Sequence, residues 1–280
     1  HGAWAMVLTP AVVAVLALGP QPLGLVALLG WLTAYAARGP LEVLLGRGAS
    51  GRAGMASAEP EVAGFWLLAL AAAAAALLLP VAALRPAVLG LLAGALLLAC
   101  LVFWLAQRGR TRSLLSGFLS VTGLMAGAPL YELAGAGGMS LRGWALTYAC
   151  FAFFAGSIFR VKTMARERKR RSFHDLSVAV HFAFLAAAAY PAVRGWAPPL
   201  VPLALVPPLV WSVVCAWRAR RRGAARLDRV GWSEVFLTVL FAGLTVLALR
   251  LPAWPPPAAL PQPAALRVRH KGHEGNVKVA

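Results

Sequence analysis

The sequence predicts an all-α fold, a polytopic transmembrane helical bundle of about nine spans. Three observations predict it. Hydrophobic residues make up 60% of the 280 and charged residues only 13%, with a mean hydropathy of +0.74; a soluble domain carries about 25% charged residues. Apolar runs of roughly 20 residues recur along the chain, and that length of helix crosses a hydrocarbon core of about 30 Å. The runs are continuous rather than alternating at period two. That excludes a barrel and leaves helices, whose backbone amides are bonded within the segment.

The elements follow in order. The first span, 4–19, opens behind HGAWAM, where His1 and Trp4 share a helix face at i,i+3 spacing. No initiator Met precedes His1, so the start of the protein is expected upstream. A span over 21–37 leads into RGPLEVLLGRGASGRAGMASAEPEVAG, which reads as a loop with one short helix at 40–46. Spans at 63–83 and 86–106 come next, then one at 114–133. The last contains SGFLSVTGLMAGAP, whose small residues permit close helix approach. The sixth and seventh are expected at 143–162 and 174–193, with Asp175 in a first helical turn, where the helix dipole favours an acid. Two Pro pairs, 198–199 and 207–208, should kink or break the eighth, 198–217. The ninth is 232–250. Residues 1–250 thus form the transmembrane domain. Residues 251–280 are a Pro-rich basic tail, expected to be disordered. No internal repeat stands out.

The net charge of +18 raises a nucleic-acid reading, but its distribution opposes one. Basic residues gather in loops after even-numbered spans: Arg38, Arg47 and Arg52; Arg108, Arg110 and Arg112; Arg160 to Arg171; Arg218 to Arg229. Loops after odd-numbered spans hold only Arg85, Arg142 and Arg194. By the positive-inside rule the even loops and the N-terminus are cytoplasmic, in an inner (plasma) membrane, and the C-terminus is outside. Membrane lipid is the expected partner, and nucleic acid is not. Cys100, Cys150 and Cys215 lie in apolar runs with no Cys or His at ligand spacing, so inert thiols, no metal and no cofactor are expected.

The densest chemistry is SIFRVKTMARERKRRSFHD. Arg160, Thr163, Met164, Glu167 and Arg171 share one helix face. Much of the run is topogenic and touches lipid phosphates. Arg160 and Lys162 fall within the last turns of an apolar span, where a charge is costly unless it faces a polar cavity or snorkels outward. Trp4 is either an interfacial belt residue or part of a pocket mouth with His1. Glu132 and Glu234, near span ends, read as interface residues or as relay carboxylates, and His181 must find a partner or stay neutral.

HGAWAM followed by a nearby Pro, together with FRVKTMARER before a later span, resembles the YwiC-like family of membrane proteins. That family typically begins Arg-Glu-His-Gly-Ala-Trp-Ala. Nine spans with functional loops after even-numbered ones also look like the UbiA prenyltransferase architecture. That likeness implies Asp-rich motifs holding Mg²⁺ on a prenyl diphosphate. Here the corresponding loops offer only Glu42, and then Glu167 and Asp175 among many cations, out of nine acidic residues in all. A metal bridge needs carboxylates converging from both sides. The expectation is therefore a transferase-like or purely binding site without the Asp-rich metal motifs. His1, Trp4, Arg38, Arg108, Arg160, Lys162, Arg166 and Glu167 would form its cytoplasmic mouth, with cations holding a polyprenyl phosphate or diphosphate directly. The rival expectation is a transporter or accessory protein whose basic loops only set topology.

Overall fold

The computed structural model describes residues 2–45, 60–110, 113–165, 167, 170–222 and 227–251. His1, Arg166 and the tail from 252 onward lie outside them. The described residues are helical, without strands. The helices are α1 (Gly2–Leu18), α2 (Pro22–Ala36), α3 (Arg38–Leu44), α4 (Pro60–Leu84), α5 (Ala87–Gln107), α6 (Leu114–Leu124), α7 (Gly127–Ala136), α8 (Leu141–Ala165), α9 (Arg171–Val193), α10 (Val206–Arg222) and α11 (Leu227–Arg250). Among the described residues, seven segments are long and apolar enough to cross a membrane. α1 and α2 are apolar but shorter, at 17 and 15 residues. The chain is a multi-pass membrane protein.

Two elements, the fifth span and the start of α9, depart from the sequence reading, and the break expected in the eighth span is present. The fifth span breaks between α6 and α7 at Met125 and Ala126. Pro129 has no N–H for the Met125 carbonyl, and its ring crowds that carbonyl, which disfavours a continuous helix at this point. The eighth span begins as a 3-10 turn, Val201–Leu205, before α10 starts with Pro207 and Pro208 in its first turn, where their missing N–H groups cost least. Asp175 lies beyond the first turn of α9, which begins at Arg171, and it pairs with Arg220 of α10 instead. The short helix after the second span is present, as α3.

α8 is the axis of the bundle. Of its apolar window 67% is buried, against 11% for α5. It packs against α1, α6, α7, α9, α10, α11 and the 3-10 turn. Around it lies the larger core, in which Phe153 of α8 stacks on Phe241 of α11 with centroids 4.3 Å apart. A smaller core joins α2, α4, α5 and α7 through Ala27, Leu78, Val88 and Leu130. The close approach expected of the small-residue stretch is present: Gly117 of α6 meets Ile158 of α8, and Gly127 meets Trp31. At the far end from Arg160, the turn between α1 and α2 passes through Gly19 at φ 83°, a left-handed conformation that glycine adopts without strain. Tyr131 locks that turn, donating to the Gly19 carbonyl at 2.5 Å and accepting from the Gln21 N–H at 2.9 Å.

Candidate functional site

Among the described residues, Arg160 is the most buried charged residue. It lies five residues before the end of α8, on the same face as Phe153, Gly156 and Thr163. Its residue is 1% exposed. An uncompensated guanidinium there would be strongly disfavoured. Compensation comes from α11, where Glu234 is held in a two-pronged contact, Nε to Oε1 at 3.1 Å and Nη2 to Oε2 at 2.8 Å. Such a fork matches the planar geometry of both groups. The third arm, Nη1, lies 2.7 Å from Nε2 of His181 on α9. The guanidinium also lies over the Phe153 ring, 5.3 Å from its centroid.

These partners fix the histidine tautomer. Arginine only donates, so Nε2 of His181 accepts, and Nδ1 carries the proton and donates to the Ser177 carbonyl at 2.7 Å. His181 is therefore a neutral imidazole, 4% exposed, near the middle of α9. Ser177 continues the polar stripe, its hydroxyl 3.1 Å from that of Ser212 on α10. Glu234 is the least enclosed member, with a side chain 19% exposed. α10 packs mainly on α8 and α9, and α11 on α1, α8 and the 3-10 turn, so the two helices touch each other little. Their seam brings the edge of the site to the outside of the bundle at the level of Glu234. Cys215 of α10 is buried within electrostatic range of both Glu234 and Arg160.

The other residues expected at a shared mouth have separate surroundings. Arg38, exposed on α3, pairs with Glu42 one turn on, at 2.6 Å. Burial alone would lower its pKa, but the hydrogen bond and charge of Glu42, with Tyr35, outweigh that and raise it. Arg108, exposed after α5, lies over the Trp104 ring at 4.1 Å. Trp4 is exposed on α1 and meets Tyr35 edge-on at 4.9 Å. Lys162 is half-buried on α8, and Glu167 pairs with Arg170 at 3.5 Å. The structure brings neither Arg38 nor Arg108 to Arg160. Among the described residues, no group of three His, Cys, Asp or Glu gathers as metal ligands. A hollow of about 20 Å³, room for roughly one water, lies away from Arg160 between Arg142, Pro198 and Leu249.

The sequence reading singled out Arg160, Glu234 and His181 separately and missed that they meet. Arg160 and Glu234 are 74 residues apart. One pattern does carry the pairing. Val230, Leu237, Phe241 and Thr245 are buried on α11, and Glu234 falls on their stripe at i+4 and i+7 spacing. A carboxylate on a core stripe needs a cation from a facing helix.

Residues 1–132 match the family described as YwiC-like protein. The match ends within α7, so Arg160, His181 and Glu234 lie beyond it. No curated protein and no solved structure matches the chain.

Proposed function

We propose that this membrane protein, whose residues 1–132 match the YwiC-like family, binds the anionic headgroup of an amphiphile, a polyisoprenyl or similar phosphate, by exchanging it for Glu234 on Arg160. The observation that carries this is the buried two-pronged ion pair with one partially open partner. A guanidinium fork that fits a carboxylate also fits a phosphate. Glu234 holds that place when no substrate does, which spares Arg160 from standing alone in a low-dielectric core. The seam between α10 and α11 offers a lateral entry, so the apolar tail can stay in lipid against exposed residues such as Val213, Phe236 and Val239. No long internal groove is then required, in keeping with the packed core around Phe153 and Phe241. The exposed positions of Arg38 and Arg108 fit a role in setting topology, with the basic end toward the cytoplasm.

The test is titration of a polyisoprenyl monophosphate into the purified protein in lipid nanodiscs, with inorganic phosphate as a competing probe. Wild type should bind saturably. Glu234→Gln should bind more tightly, because the resident counter-charge is gone; each 1.4 kcal/mol released would be worth about tenfold in affinity. The double variant Arg160→Gln/Glu234→Gln, which buries no unpaired charge, should not bind. Wild-type affinity in that double variant would refute the assignment. Competition by inorganic phosphate would show that the headgroup alone suffices.

A further inference from the structure

Two more polar residues on the α8–α9 pair are buried without a hydrogen-bond partner among the described residues. Thr163 is 1% exposed, and its hydroxyl has no hydrogen bond among the described residues. His174 is 0% exposed, and neither ring nitrogen has one. They belong together by register. His181 of α9 lies on Gly156 of α8. One heptad along each of these antiparallel helices brings Thr163 opposite His174. On α9, His174, Ser177 and His181 follow at i, i+3 and i+7, all buried, so they form one inward stripe about 10 Å long. At one end is Arg170, just before α9. At the other is the Arg160–Glu234 pair. Buried polar groups without partners are costly, and an apolar side chain would pack in either place without that cost. A file of imidazoles and hydroxyls is suited to moving protons inside a membrane.

We infer that the His174–Ser177–His181 stripe, with Thr163, is a proton path that delivers one proton to Glu234 when an anion takes its place on Arg160. The inference rests on the exchange proposed above and adds its charge balance. An anion arriving at Arg160 would otherwise leave two negative groups beside one cation in the core. The proton comes from water at the basic end. It forms an O–H bond on Glu234, and no other covalent bond changes overall. His181 is the last station. Arg160 holds its ring in place until the guanidinium turns to the anion; the freed imidazole then yields a proton from one ring nitrogen to Glu234 and regains one from the stripe on the other, so it ends neutral. Among the described residues, Glu234 is met by Arg160 of α8, behind which lies His181 of α9, and Cys215 of α10 lies within electrostatic range of Glu234, Arg160 and Arg218. Among the described residues, the charged groups closest to His174 along the chain are paired elsewhere, Glu167 with Arg170 and Asp175 with Arg220.

The experiment mixes the nanodisc protein with polyisoprenyl monophosphate in weakly buffered solution containing a pH indicator, and follows binding and proton uptake together. Wild type should take up about one proton per ligand bound. Glu234→Gln should bind and take up none. Thr163→Val and His174→Phe should keep the stoichiometry but slow uptake by at least roughly tenfold, the scale of a lost proton-transfer group. Thr163→Val is near-isosteric and removes an orphaned hydroxyl, so it should melt no lower than wild type; slower uptake in it is not a folding defect. Ligand binding with no proton uptake, or uptake as fast in both variants as in wild type, overturns the proton path and leaves the anion site standing. Absence of phosphate binding overturns both.

Discussion

Gly156 of α8 lies so close to the His181 ring that a Cβ on residue 156 would sit 2.7 Å from Nε2. The missing side chain is what lets the imidazole reach Arg160 from the neighbouring helix. Gly156→Ala should push the ring away, break its bond to Arg160 and cost about 1–3 kcal/mol, as overpacking does. Gly90 on α5 is the control. Nothing lies within 4 Å of a Cβ there, so Gly90→Ala should be neutral or stabilise by about 0.5–1 kcal/mol. Thermal melts in detergent compare the two. Equal melting shifts would mean that the Gly156 contact has no energetic weight.

Arg160 and Glu234 should be strongly non-additive. Arg160→Gln alone leaves Glu234 without its cation and should cost about 3–5 kcal/mol. Arg160→Gln with Glu234→Gln removes both charges and should recover most of that loss. A double-mutant cycle on unfolding in mixed micelles measures the coupling. Simple additivity would show that the two side chains do not depend on each other.

Tyr131 makes a separate prediction at the far end from Arg160. Its hydroxyl holds both the Gly19 carbonyl and the Gln21 N–H, and its residue is fully buried. Tyr131→Phe keeps the ring but strands two backbone groups, a loss of about 1–3 kcal/mol. Proteolysis of the turn between α1 and α2 should rise with it. Unchanged melting and cleavage would remove Tyr131 as the clamp on that turn.

Much of this fold was legible because each span is a local fact. About 20 apolar residues state their own length and their own need for internal hydrogen bonds. The break at Met125 was legible in principle, since Pro129 marks it four residues ahead, but the surrounding small residues read as a packing surface first. The site was legible only in pieces. Arg160 stood out as a charge inside a span, and His181 and Glu234 as polar groups in need of partners. Their meeting depends on how α8, α9 and α11 pack, and no single stretch of sequence records that. The same limit applied to Arg38 and Arg108. Their place in loops was readable, whereas Glu42 and Trp104 as their immediate partners emerged only with the helices in place.

The most direct measurement is native mass spectrometry of the protein purified gently from its own membranes. The account predicts that wild type carries a phosphate-bearing lipid adduct, retained or enriched in Glu234→Gln and missing from Arg160→Gln/Glu234→Gln. The same adducts in the same proportions on all three proteins would contradict it.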